Sequence, residues 1–112
     1  MVLRNATTGA ALAAQVACAR NPFTRAVGLL SRAKVGPDEG LWIAGCSAVH
    51  TVGMRAVIDL YFLDRDDRVI RIDAGVRPQQ VWIACRGARS VVELGAAGLP
   101  RAVTLGDRLT LE

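Results

Sequence analysis

A chain of 112 residues is near the commonest size of a single domain, so one core spanning residues 1–112 is expected. With 52% hydrophobic and 21% charged residues it is too apolar to be a disordered chain. The net charge is +4 and the isoelectric point about 9.6, yet the thirteen arginines and single lysine scatter from Arg4 to Arg108 with no two adjacent. A nucleic-acid footprint needs clustered cations, so no specific nucleic acid is expected as a partner.

In chain order, residues 2–5 and 11–19 read as strands around the turn signal "TTG" at 7–9. "NPFTRAVGLLSR" then offers Asn21 as an N-cap and Pro22 as a first helical residue, with Phe23, Ala26, Val27 and Leu30 at helical spacing. A short helix over 22–32 follows from that pattern. "LWIA" at 41–44 is a short strand ended by Gly45. Residues 55–64 are the strongest strand signal, rich in Val, Ile, Leu, Tyr and Phe. The polar turn "DRDDR" at 64–68 leads into "VIRID" at 69–73, with Ile70 and Ile72 expected inward, so the two runs form an antiparallel hairpin. A loop centred on Pro78 precedes strands near 80–84 and 89–94, and "LGD" at 105–107 turns into a last strand at 108–111. The expected class is therefore α+β: mainly antiparallel sheet, partly barrel-like, with one helix.

Cys18, Cys46 and Cys85 are an odd number without a Cys-x-x-Cys pair, a poor framework for disulfides or for a zinc ribbon. Reduced thiols in a cytoplasmic protein fit best, and neither a metal nor another cofactor is expected. Residues 6–19 imitate a secretory signal, but Thr7, Thr8, Gly9 and Gln15 weaken its apolar stretch. No apolar run reaches the roughly 18 residues that a membrane-spanning helix requires.

Asp59 is the anomaly. It sits in the apolar strand 55–64 beside Val57 and Tyr61, with Ile58 and Leu60 on the other face. A buried carboxylate must find a cation, backbone amides or a proton. His50, the only histidine, lies nine residues upstream and is the nearest partner in sequence. Asp59 then either ties down the amides of 50–54 with His50 as a supporting donor, or forms an acid–base pair with it at a ligand site. Glu93 in "VVEL" reads as an outward-facing strand residue paired with Arg25 or Arg32, or else as a member of the same site. Cys46 and His50 stand four apart, and with Asp59 as an orienter they could form a nucleophile–base set; buried inert thiols are the simpler reading.

Several pieces taken in order resemble the domain-of-unknown-function 192 family: "TRAVGLLSR" (24–32), "EGLWI" (39–43), "VHTVGMRAVIDLYFLD" (49–64), Pro78, "VVELGAAG" (91–98) and "LGDRLTL" (105–111). The chain is similar to the branch with His-Thr-x-x-Met before the Ile-Asp strand, which adds Thr51 and Met54 to the candidate residues. Val57 and Gly95 stand where the family pattern usually has Pro, which suggests looser backbone near the site. Asp67 stands at a usual Gly and tolerates a left-handed turn. The resemblance implies a small antiparallel α+β domain and no established activity.

The reading is a binding module for a peptide, a protein partner or a small ligand, with His50, Thr51, Met54, Asp59, Glu93 and Arg25 as candidate site residues. The alternatives are a hydrolase-like enzyme using Cys46, His50 and Asp59, and a regulatory nucleic-acid-binding protein.

Overall fold

The structure is a computed structural model that describes residues 1–19, 34–49, 51, 54–80 and 82–112. Its strands are β1 (Leu3–Asn5), β2 (Ala11–Ala13), β3 (Gln15–Ala19), β4 (Glu39–Ala44), β5 (Ala48–Val49), β6 (Ile58–Leu63), β7 (Val69–Val76), β8 (Ile83–Ala84), β9 (Ser90–Gly95) and β10 (Leu109–Leu111). A five-stranded sheet has the order β3-β4-β9-β6-β7, a three-stranded sheet the order β10-β1-β2, and β5 pairs with β8 in a separate ribbon. Among the described residues only the β3–β4 pair is parallel; the other pairs are antiparallel.

The α+β, partly barrel-like expectation is corrected by this architecture. Every regular element among the described residues is a strand, and the sheets remain open rather than closing into a barrel. The α+β expectation rests on a single helical period at 22–32, which lies outside the described residues. The apolar burial of the described residues is carried by strands and by the segments that cover them. Closure would need hydrogen-bonded continuity around the whole sheet, and here β3 and β7 end the five-stranded sheet as edges.

Burial follows from strand alternation. One face of the large sheet carries Ile43, Ile58, Leu60, Phe62 and Val91, and is covered by Val49, Met54, Ala56 and Val35. The opposite face carries Trp42, Tyr61, Leu63, Val92 and Leu94, and packs on Leu3, Ala13 and Leu109 of the three-stranded sheet. Strand β6 is therefore buried along its whole length, which explains its near-continuous apolar run. β9 is the middle strand, with β6 beside it, so β6 is an interior strand but not the sheet's centre.

Two irregularities in β7 position the site. Phe62 pairs with Arg71 and Leu63 with Val69, so Ile70 is an inserted residue. Ile70 consequently packs on the first core and Ile72 on the second, rather than both pointing the same way. Leu60 pairs with Asp73 and Ile58 with Val76, so Ala74 and Gly75 together oppose Asp59. Gly75 takes the left-handed φ of 65° that such a bulge requires. Asp67 adopts φ 62° in the β6–β7 turn, as its tolerance for left-handed backbone allows. At the end of β9 the backbone is tight rather than loose: a Cβ on Gly95 would overlap the carbonyl oxygens of Val35 and Gly36.

Candidate functional site

Asp59 answers the cost of its burial with a cation and two amides. Its side chain and that of Arg101 are 6% and 7% exposed, and Arg101 Nη1 donates to Asp59 Oδ2 in a close ion pair. The Gly75 amide, turned inward by the bulge, donates to Asp59 Oδ1 at 2.8 Å. The Ala97 amide donates to Oδ2 at 3.3 Å. Arg101 is itself saturated further, donating through Nη2 to Gly95 O at 2.7 Å and Pro37 O at 2.8 Å. One ion pair thus ties β6, the β7 bulge, the end of β9, the 96–103 segment and the loop before β4 into one unit.

Arg101 is the residue that sequence reasoning missed. It lies 42 residues from Asp59, in "GLPRA", which reads as irregular chain. The available signals were Gly75, a glycine interrupting the strand pattern "VIRIDAGV", and an arginine set between Leu99, Pro100 and Ala102.

Register separates the other candidates. Asp59 pairs with Leu94 and Leu60 with Glu93, so Asp59 and Glu93 lie on adjacent strands but on opposite faces of the sheet. Glu93 is 2% exposed, an inward residue on the Leu60 face rather than an outward one. Met54 is 3% exposed and belongs to the core on that same face. Cys46 also packs there, with its thiol donating to Ala48 O at 2.9 Å, so Cys46 and Asp59 do not share a face.

Thr51 is fully buried and clasps the turn after β7. Its hydroxyl donates to Arg77 O at 2.9 Å and accepts from the Gln80 amide at 2.8 Å. Its backbone adds an N–H bond to Gln80 O and accepts from the Gln79 and Met54 amides. His50 and Arg25 lie outside the described residues. Asp107, from the "LGDRLTL" piece, is a turn anchor: it accepts from Asn5 Nδ2 and from the Thr104 amide, each at 2.9 Å.

Above Asp59 lies an apolar cleft of about 350 Å³, walled by Val57, Ala74, Gly75, Ala96 and Leu99. Val57 and Leu99 are 41% and 78% exposed, so the cleft carries uncovered hydrocarbon at its mouth. A second hollow beneath Leu99 also reaches Asp59 and runs on to Tyr61 and Val103. A third depression shares Val57 and Ala96 with the first and is flanked by Lys34 and Arg55. Elsewhere, Arg71 lies over the Phe62 ring at 5.2 Å and grips Asp73 through two hydrogen bonds, which hold its guanidinium above its usual pKa. Among the described residues, no three His, Cys, Asp or Glu side chains gather as a metal set, and no helix is long and apolar enough to cross a membrane.

The described residues thus form an all-β fold in which the carboxylate of a buried Asp–Arg pair lines an apolar hollow. The chain belongs to the DUF192 family, described as "Uncharacterized ACR", whose profile matches residues 3–111. It is similar in structure to a candidate transcription regulator from Sinorhizobium meliloti 1021, with 26% identity and a TM-score of 0.76, covering 97% of this chain and 89% of that one. It is also similar to a protein of unknown function from Novosphingobium aromaticivorans DSM 12444, with 21% identity and a TM-score of 0.75, covering 98% and 83% respectively. No curated protein matches the chain.

Proposed function

We propose that this domain is a binding module whose small ligand occupies the cleft over Asp59. The observation that carries this reading is the Asp59 carboxylate, nine-tenths buried in its ion pair with Arg101, lining a hollow with exposed apolar walls. A hydrophobic pair could fill that floor with less desolvation, so the polar groups are better understood as organising a site. The bulge opposite Asp59 supports this, because bulges concentrate next to binding and active sites. The hollow falls within the size range of small-molecule pockets, about 300–1,000 Å³.

An NMR screen with small apolar fragments tests the reading. Binding should shift the amide signals of Gly75 and Ala97, and Val57→Trp should abolish those shifts by filling the cleft. Fragment shifts confined to the Trp82 side of the molecule would refute it.

The hydrolase-like alternative receives no support from the geometry, since Cys46 and Asp59 lie on opposite faces of the sheet. A regulatory role in nucleic-acid binding is favoured by one observation, the description attached to the Sinorhizobium relative. Three arginines of this chain, Arg4, Arg71 and Arg101, are already committed to ion pairs, which lowers the charge available to a phosphate backbone. Sequence-selective, sub-micromolar DNA binding at physiological salt would establish that role in place of the small-ligand reading.

A further inference from the structure

We infer that the ligand of this cleft is a small aliphatic molecule ending in a carboxylate; the inference rests on the small-ligand reading above. The floor of the cleft is electrically balanced, because the Asp59 charge is met by Arg101 and by two amides. A cationic ligand therefore finds no free anion there. The walls are hydrocarbon: Val57, Ala74, Ala96 and Leu99 offer no side-chain donor or acceptor. The uncompensated charge lies at one end, where the adjoining depression shares Val57 and Ala96 with the cleft. Among the described residues, the only charged side chains lining that depression are Lys34 and Arg55, both exposed and with no ion-pair partner there. The nearby carboxylate, Glu39, takes the Gly36 amide at 3.3 Å. An apolar body lying along the Val57–Leu99 wall would thus place its terminal group beside two cations. Complementarity at that end selects an anion, while the neutral floor and apolar walls select an aliphatic chain without internal polar groups.

The experiment compares octanoate, 1-octanol and octylamine, each below its aggregation concentration, by NMR titration of the intact chain at low salt. Octanoate should bind at least fivefold more tightly than octanol, and octylamine the most weakly. In the double variant Lys34→Gln/Arg55→Gln the octanoate advantage should vanish while octanol affinity stays unchanged; both side chains are exposed, so folding should be unaffected. Raising the salt should shrink the same advantage in the unsubstituted chain. Equal binding of octanoate and octanol, or preference for octylamine, would overturn the carboxylate assignment and leave the small-ligand reading intact. Absence of any cleft shift with all three probes would overturn both. Tighter binding of a peptide with an apolar C-terminal residue than of octanoate would replace the free acid by a chain terminus.

Discussion

Removing both partners of the Asp59–Arg101 pair should cost about as much as removing either one alone, well short of the sum of the two. In Asp59→Leu, the guanidinium of Arg101 stays in a site where its side chain is 7% exposed, with carbonyls but no counter-ion. An uncompensated buried charge of this kind costs about 3–5 kcal/mol. In Arg101→Met, Asp59 keeps the Gly75 and Ala97 amides but loses its cation, and the carbonyls of Pro37 and Gly95 lose a donor; a cost of about 3–5 kcal/mol again follows. The double variant Asp59→Leu/Arg101→Met leaves no buried charge at this site. Its remaining cost is the two amides and two carbonyls left without partners, about 1 kcal/mol each, or about 4 kcal/mol together. The single costs sum to about 8 kcal/mol, so the double variant should be more stable than additivity predicts by several kcal/mol. Urea denaturation followed by far-ultraviolet circular dichroism measures all four proteins, with the slopes checked for constancy. Additivity within about 0.5 kcal/mol would mean that the two side chains do not act as a pair. An unchanged midpoint in Asp59→Leu would remove the buried-carboxylate argument itself.

Thr51→Val keeps the shape of a fully buried side chain but strips the partner from the Gln80 amide and Arg77 carbonyl; a loss of about 1–3 kcal/mol in urea denaturation is expected, with Thr51→Ser close to the parent. Asp67→Gly should stabilise slightly, by about 0.5 kcal/mol read as a higher urea midpoint, since it relieves a left-handed φ of 62°. The Asp107 carboxylate is held below its ordinary value of 3.8 first by the Thr104 amide and then by Asn5. Its contribution to stability is therefore complete above the unfolded value and is lost as pH falls through the lower folded one. Thermal midpoints of the parent and Asp107→Asn should differ most near pH 6 and converge as pH falls below the folded value; a difference independent of pH would contradict the assignment.

The sequence alone determined several of the strands and the existence of a problem at Asp59, but it read 11–19 as one strand where β2 and β3 lie in different sheets. Period-two patterning and β-branched runs locate β6, β7, β9 and β10 to within a few residues, because side-chain alternation is a local property of extended chain. The demand that Asp59 find a cation or amides is equally local, since it follows from one charge in an apolar run. What answers the demand was decided only by tertiary structure. Arg101 meets Asp59 across 42 residues, and the Gly75 amide reaches it because the β6–β7 register slips at Ala74–Gly75. Register also sends Asp59 and Glu93 to opposite faces, although each reads as a carboxylate among apolar neighbours. The same holds for the class: one helical period suggested α+β, while the described residues bury their apolar faces through sheet packing. Pairing across long loops depends on the packing of whole faces, and no window of neighbouring residues contains that information.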